Sequence, residues 1–189
     1  MPFTFSHPAL VLPLTNLPNK YYSLTGLIIG SLTPDFEYYI RMELKGNFSH
    51  SFLGLFLFDL PIGILLTFLF HNIIRNNLFK NLPNFFKSRF LIFTSFNWNR
   101  YFKKNWLIVI ISIFVGAFSH LFWDSFTHHD GFFVHKINAL QQSVHILNQN
   151  IPVFKVLQHF STLLGGFIIA FSIIKMPIFK IEENTIKIQ

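Results

Sequence analysis

Three long apolar runs constrain the fold of this chain more than any other feature of its sequence. They lie at about residues 52–74, 106–127 and 154–175, and each approximates the roughly 20 residues that an α-helix needs to cross a bilayer. Of all residues, 51% are hydrophobic and 12% are charged, whereas a soluble domain carries about 25% charged residues. We therefore predict an all-α, multi-pass integral membrane helical bundle that forms one domain, residues 1–189.

The N-terminal residues 6–35 contain two shorter apolar pieces separated by the turn-like sequence TNLPNK. Neither piece is long enough to span a bilayer. We predict a shallow helical hairpin that dips part-way into the membrane. Its two ends, near His7 and Asp35, would then lie on the same side.

Basic residues predict the orientation of the chain in the membrane. Segment 75–105 holds seven Lys and Arg residues and no acid, which is typical of a cytoplasmic loop. The lysines of the C-terminal tail indicate a cytoplasmic terminus as well. The segment shows no motif that reads nucleic-acid grooves, so we expect membrane lipids and no nucleic acid as partners.

Ionisable side chains concentrate in the sequence SHLFWDSFTHHDG at residues 119–131. In a continuing helix, His120, Asp124 and His128 would have i, i+4 and i+8 spacing and share one face. The predicted topology brings further histidines and carboxylates to the same outer end of the bundle. The chain has no cysteine, and imidazole and carboxylate are ligands that suit Zn, Fe and Mn. The predicted metal ligands are His7, Asp35, His50, His120, Asp124 and His128.

This set is larger than one tetrahedral site requires, so we predict one or two divalent ions, with Zn first and Mn or Fe as alternatives. Asp35 or Asp124 would bridge two ions, and both are the predicted catalytic residues. Two ions about 4 Å apart can clamp a phosphoester. Side chains that orient the ligands are also expected, and the candidates are Glu37, Asp59, Asp130 and His159. Arg41 or Lys136 could balance phosphate charge.

Other interpretations of these residues remain open from the sequence. His120 and Asp124 could form a structural hydrogen bond between helices. His7, Asp35 and His50 could each belong to a helix start. A non-enzymatic metal-binding or metal-handling protein, and a structural membrane protein held together by His and Asp, are the alternative functions. Paired haem ligands are disfavoured, because Asp124 accompanies His120.

Five segments carry a resemblance that covers essentially the whole chain: MPFTFSHPA, GSLTPDFEYYIR, HSFLGLFLFDLP, HLFWDSFTHHDG and QHFSTLLGG. In this order they resemble an uncharacterised bacterial integral-membrane family, a domain of unknown function. That family is similar to inner-membrane metal-dependent hydrolases. More distantly, the order His, Asp, His, His-x3-Asp, His is similar to zinc-dependent phospholipase C and the fungal zinc nucleases.

The resemblance implies a metal-dependent hydrolase of the bacterial inner membrane. Together with the two-metal argument, it leads us to expect hydrolysis of phosphoester bonds in lipid or envelope substrates. On this pattern the six predicted ligands match ligand positions. Two features of this chain depart from the zinc phospholipase pattern and reduce the number of metal ions that we expect. The zinc phospholipases are soluble and use their mature N-terminal amine as a ligand, which has no counterpart here. Their later His-x3-Glu also has no match, because Gln149 follows His145 at that spacing. The resemblance therefore implies a one- or two-metal site.

Overall fold

The computed structural model describes residues 3–43, 48–146 and 148–179. The predicted cytoplasmic tail, with Lys180 and Lys187, lies outside the described residues. The chain is mostly helical and begins with short elements. These are a 3₁₀ turn Thr4–Ser6, α1 Pro8–Val11, a 3₁₀ turn Leu12–Asn16, α2 Leu24–Gly30, a 3₁₀ turn Thr33–Asp35 and α3 Phe36–Arg41.

Longer helices and one small sheet follow in the rest of the described chain. They are α4 Phe52–Gly54, a π-helical turn Leu55–Asp59, α5 Leu60–Leu69, a second π-helical turn Phe70–Ile74, α6 Arg75–Asn81, α7 Asn84–Phe90, a 3₁₀ turn Leu91–Ser95, α8 Trp98–Thr127, α9 Phe132–Lys136, α10 Asn138–Gln141, β1 Ser143–Ile146, β2 Gln149–Pro152 and α11 Val153–Lys175.

Within the described residues, three helical segments are long and apolar enough to cross a membrane. They are Phe52–Asn81, Trp98–Lys136 and Val153–Lys175. Large apolar side chains on these segments stay exposed, such as Leu163 at 75% and Phe167 at 68%. Such extensive exposed apolar surface is unusual for a soluble monomer and typical of lipid-facing helices. The prediction of a mostly helical chain with three helices capable of spanning is confirmed, and this is compatible with a membrane protein.

The all-α prediction is wrong in one segment, where β1 and β2 form a two-stranded antiparallel sheet. Val144 pairs with Ile151, and Ile146 pairs with Gln149. β-branched residues favour strands, and Asn148 in the connection has a φ of 62°, a conformation that Asn tolerates better than most residues. Each strand has only four residues, which is too short for a clear alternating pattern.

Helix α8 is kinked at Asn105, whose φ of −128° and ψ of 25° are not helical. The Asn105 amide donates a hydrogen bond to the Tyr101 carbonyl at 3.1 Å. The kink separates a basic first part from the apolar part that begins at Trp106. Much of the basic segment 75–105 is helical, because it contains α6, α7 and the start of α8.

Helices α2 and α8 pack backbone against backbone, because glycines line their contact. A side chain on Gly30 would collide with the backbone of Ile113, and one on Gly116 would lie 2.7 Å from the Ser31 nitrogen. The Ser112 hydroxyl oxygen also accepts a hydrogen bond from a backbone N–H of the α2 cap at 2.8 Å. This contact brings the end of α2 and the following turn, which carries Asp35, to the face of α8 that carries His120.

The N-terminal segment packs against α11. The Ser6 hydroxyl donates to the Thr162 carbonyl at 2.9 Å, and the Phe3 N–H donates to the Thr162 hydroxyl at 3.1 Å. Gly165 lies directly beside Ser6, where a Cβ would approach the Ser6 side chain to 2.8 Å. These contacts fix the position of His7 between α8 and α11.

We predict that the substitution Gly116→Ala destabilises the protein by about 1–3 kcal/mol, because the added methyl forces α2 away from α8. Gly166→Ala is the control, since a Cβ there has no neighbouring atom within 4 Å and alanine favours helix by about 1 kcal/mol. Thermal unfolding of the full chain in detergent measures both. Equal Tm values for the two variants would contradict the role of this helix contact.

Candidate metal centre

All six predicted ligands lie in one cluster near the C-terminal end of α8. They come from separate parts of the chain: the turn before α1, the turn after α2, the residues before α4, and the end of α8. His120 and Asp124 lie on the buried face of α8. The fold therefore assembles the cluster from segments that are far apart in sequence.

Asp124 lies at the middle of the cluster. Its Oδ2 atom is 3.2 Å from His120 Nε2 and 3.6 Å from His50 Nε2. Its Oδ1 atom is 3.6 Å from His7 Nε2 and 3.5 Å from His128 Nδ1. Each carboxylate oxygen thus faces two imidazoles. This arrangement is expected of a carboxylate that can bridge two cation positions.

Asp35 faces two of the same imidazoles from another direction. Its Oδ1 atom is 3.5 Å from His120 Nε2 and 3.7 Å from His50 Nε2. Its Oδ2 atom accepts a hydrogen bond from the Thr4 hydroxyl. This bond uses one carboxylate oxygen and leaves the other directed into the cluster.

The orientation of His120 is set by the backbone of α2. Its Nδ1 atom lies 2.8 Å from the Ser31 carbonyl oxygen, which can only accept a hydrogen bond, so Nδ1 carries a proton. In the neutral ring, Nε2 then presents its lone pair to Asp35 and Asp124. The His7 ring stacks on His120 with a centroid separation of 3.6 Å.

His50 is positioned by hydrogen bonds to its neighbours. The Ser49 hydroxyl lies 3.0 Å from His50 Nδ1, and the Ser49 N–H donates to Glu37 Oε2 at 2.8 Å. Glu37 is also paired with Arg41 at 2.8 Å. Burial tends to raise the pKa of Glu37, but the hydrogen bonds from Ser49 and the Arg41 charge hold it below its usual value. Glu37 therefore stays an anionic acceptor that fixes the segment before α4.

The helix-start interpretations do not account for these side chains. The N-cap of α4 is Ser51, whose hydroxyl accepts from the Gly54 N–H at 3.0 Å, rather than His50. His7 and Asp35 do occupy N-cap positions, of α1 and α3, but neither side chain makes a capping hydrogen bond in the described structure. Both side chains turn into the cluster instead.

The predicted i+8 geometry of His128 is wrong. Helix α8 ends at Thr127, and His128 has extended angles, with φ of −110° and ψ of 146°. Its ring reaches Asp124 nonetheless, with Nδ1 also 3.2 Å from the Asp124 carbonyl oxygen. The chain therefore brings His128 to Asp124 by leaving the helix.

The side chains of the cluster could hold a cation. Within the described residues, the following buried atoms have no hydrogen-bond partner: both ring nitrogens of His7, Oδ1 of Asp35, Nε2 of His120, both carboxylate oxygens of Asp124 and Nε2 of His128. Buried polar atoms are almost always partnered in folded proteins. A cation would satisfy those of these atoms that carry a lone pair and face the cluster, such as Oδ1 of Asp35, Nε2 of His120 and the carboxylate oxygens of Asp124.

Donor spacing also fits a metal ion. The sets His7, Asp35, His120 and His50, His120, Asp124 each offer ligand atoms within 4.8 Å of one another. Neighbouring ligands lie about 3.0–3.5 Å apart when each is about 2.0–2.2 Å from the ion, and the His–Asp separations range from 3.2 to 3.7 Å. Because the two sets share His120, they form a single centre.

His7 and Asp35, which lie outside the long helices, have the protonation state that metals bind. Burial, with the neighbouring His120 ring, lowers the pKa of His7 to about 3, so the ring is neutral at pH 7. Burial tends to raise the pKa of Asp35, but the nearby His120 ring and the hydrogen bond from Thr4 hold it below its usual value. Neutral imidazole and ionised carboxylate are the ligand forms.

A profile of a family described as a domain of unknown function, DUF4184, matches residues 1–186. The chain belongs to the DUF4184 family. The expectation of an uncharacterised family over essentially the whole chain is thereby confirmed. No curated protein and no solved structure matches the chain.

The other residues that the sequence singled out lie in different surroundings in this DUF4184 protein. Asp130 is 95% exposed and pairs with His129 at 2.9 Å. His159 is exposed, whereas the preceding Gln158 is buried. Asp59 is fully buried in the first π-helical turn, and its oxygens have no partner among the described residues. Of the four residues predicted to orient ligands, Glu37 is the one that helps to position a cluster histidine. It accepts a hydrogen bond from Ser49, whose hydroxyl lies beside the His50 ring.

The two cations proposed for charge balance are engaged elsewhere. Arg41 pairs with Glu37 and is 58% exposed. Lys136 lies over the Phe132 ring, 6.0 Å from its centroid. The structure therefore gives neither cation a contact with the cluster.

Sequence reasoning did not find four residues that support the cluster: Thr4, Ser31, Tyr38 and Ser49. Ser31 acts through its carbonyl, which every residue has, so no sequence signal exists for it. Tyr38 lies three residues after Asp35, and helical spacing could have indicated it. Its hydroxyl is 3.5 Å from His50 Nε2, and burial raises its pKa, so it remains a protonated donor.

Proposed function

We propose that this DUF4184 protein is a membrane-bound, metal-dependent hydrolase of phosphoester bonds in lipid or envelope substrates. One observation carries the proposal: two carboxylates and four imidazoles converge with buried donor atoms that lack partners within the described structure. In structural His–Asp pairs, each aspartate would form a hydrogen bond with one histidine. Here Asp124 serves four histidines at once.

The long helices support a location in the bacterial inner membrane. We place the centre at the periplasmic or extracellular face and the C-terminus in the cytoplasm, because segment 75–105 and the tail carry the excess of basic residues. The C-terminal end of α8 then lies at the outer face. The centre would lie just inside that face, where polar substrates have access.

The residues that would hold the metal are His7, Asp35, His50, His120, Asp124 and His128. A set of this size suits one or two divalent ions, with Zn first and Mn or Fe as alternatives. Such an ion supplies Lewis acidity and lowers the pKa of water. Asp124, with one oxygen toward each pair of histidines, is placed to bridge if two are held.

Protein side chains would orient the substrate and accept protons. Hydrolysis adds the oxygen of water to phosphorus and breaks the bond from phosphorus to the ester oxygen, and the leaving alcohol gains a proton. With Asp124 holding the metal, Asp35, whose Oδ1 atom is directed into the cluster, is the group placed to accept the proton of the attacking water. Tyr38 has a hydroxyl near His50 that can donate to a phosphoryl oxygen.

The centre is partly open to solvent beside His50 and His128. The side chain of His120 is 0% exposed, while those of His50 and His128 are 18% and 27% exposed. A catalytic metal site keeps an open position, whereas a purely structural site is closed. The opening beside His50 and His128 therefore favours a hydrolase over a structural role. The resemblance of the His and Asp order to zinc phospholipase C supports phosphoesters as the substrate class.

Elemental analysis of the purified full chain tests the metal centre. We expect about one or two equivalents of Zn, Mn or Fe per chain, and a loss of most of this metal in His120→Gln. His145→Gln is the matched control, because His145 lies on β1 beside Asn150, apart from the cluster. A folded wild-type sample that holds no metal after reconstitution and washing would overturn both hydrolase and metal-handling functions.

Turnover of a phosphodiester tests the chemistry. We expect metal-dependent hydrolysis by the wild type, and a decrease of at least about 100-fold in kcat/KM for Asp35→Asn and Asp124→Asn. Asp130→Asn should retain wild-type activity, since this side chain is at the surface. Full metal content without hydrolysis of any lipid or soluble phosphoester would favour the alternative, a protein that binds or handles metal without catalysis.

The absence of cysteine makes the proposed orientation testable by labelling single introduced cysteines in intact cells. A membrane-impermeant maleimide should label Asp130→Cys, which replaces an exposed side chain near the centre. Lys87→Cys in the basic segment should react only after the membrane is permeabilised. The reverse pattern would place the centre on the cytoplasmic side.

A further inference from the structure

A narrow apolar groove lies between α1, α8 and α11, with a cavity volume of about 80 Å³. We propose that this groove holds an acyl chain of a phospholipid whose phosphate group lies at the metal centre. The inference rests on the proposed function and deepens it, because it selects a membrane phospholipid from the wider class of phosphoesters. The residues that carry the argument are His7, Leu10, Trp123, Leu164, Gly165 and Ile168.

The groove ends at the candidate metal centre. His7 lines it, and the same ring has its Nε2 atom 3.6 Å from Asp124 Oδ1. His7 is 2% exposed, and neither of its ring nitrogens has a partner among the described residues. Trp123, which also lines the groove, directly precedes Asp124 in α8. An occupant of the groove is therefore adjacent to the side chains that would hold the metal, and the metal would bind the phosphate.

The other end of the groove opens on the lipid-facing surface. Leu10 and Leu164 at its rim are 38% and 47% exposed, and the neighbouring surface of α11 is apolar, with Leu163 and Phe167 more exposed still. From Ser161 to Ile168 the groove follows α11 for about 10 Å at 1.5 Å per residue. A hydrocarbon chain can enter from the bilayer without contact with water.

The lining and the two ends of the groove select its occupant. Its walls are mainly apolar, and Ser6 and Gly165 are in contact at its base, which keeps it shallow. A single unbranched chain fits this shape, and the two ends of the groove join a polar headgroup site to the membrane interior.

Photo-crosslinking of the full chain in detergent micelles tests the groove independently of catalysis. The probe is a diacyl phospholipid with a diazirine in one acyl chain, and cross-linked peptides are mapped by mass spectrometry. We expect cross-links concentrated on the peptides that contain Leu10 and Leu164, and competition by unlabelled phospholipid. Leu164→Trp fills the groove and should reduce these cross-links about tenfold, because the indole collides with the chain.

Leu163→Trp is the matched control, since Leu163 is the adjacent residue and is 75% exposed outside the groove. Its cross-links should equal those of the wild type. Both variants must retain the metal content and elution volume of the wild type. If Leu164→Trp does not fold, the smaller change Ile168→Phe serves in its place. Equal labelling of all lipid-facing helices, or an equal effect of the two Trp variants, would overturn the proposal.

Turnover separates this inference from the proposed function. In a metal-loaded sample, Leu164→Trp should reduce hydrolysis of a long-chain phospholipid about tenfold while leaving bis(p-nitrophenyl) phosphate within about twofold. Unchanged hydrolysis of both substrates would reject the groove and keep the hydrolase. If the wild type hydrolyses neither substrate, the hydrolase proposal fails, and the cross-linking result alone decides whether the groove binds an acyl chain.

Discussion

The hydrogen bond from His120 Nδ1 to the Ser31 carbonyl connects the packing of the helices to the chemistry of the cluster. It exists because α2 and α8 touch backbone to backbone, where Gly30 and Gly116 have no side chains to hold the helices apart. The bond fixes both the direction of the imidazole and the nitrogen that carries its proton. The same contact places the turn that carries Asp35 beside His120, so the geometry of the centre follows from helix packing.

Burying the ionisable side chains of this cluster costs free energy unless their charges are compensated. Asp35 and His120 are 0% exposed and Asp124 is 5% exposed, yet their facing atoms have no hydrogen-bond partners within the described chain. Burying unpaired charge in an apolar region is costly, and ionisable groups at membrane depth are functional candidates for that reason. A divalent cation would compensate two carboxylates while binding the neutral imidazoles. The hydrogen bond from Thr4 to Asp35 and the one from His120 to the Ser31 carbonyl hold these groups in place from the other side.

Much of the cluster could be predicted from the sequence, because its members follow simple spacing and topology rules. The i, i+4 pair His120 and Asp124 needs only a helix, and the apolar run around it predicts one. His7, Asp35 and His50 stand at ends of apolar segments, so a topology that puts those ends on one side brings them together. His159 shows the limit of this reasoning: a one-residue difference in helical register buries Gln158 and leaves His159 exposed.

The sequence by itself determined that three helices can span a membrane. It also determined that the histidines and aspartates of the cluster lie at or near the ends of those helices and of the short N-terminal elements, because hydrophobic length and i, i+4 spacing are local properties. Tertiary structure decided the rest. It brought the Ser31 carbonyl to His120 and the Thr4 hydroxyl to Asp35, turned His128 back after α8 had ended, and closed a groove between α1, α8 and α11. These features depend on how closely two backbones approach and on which way a side chain points. No local sequence pattern encodes that separation or that orientation.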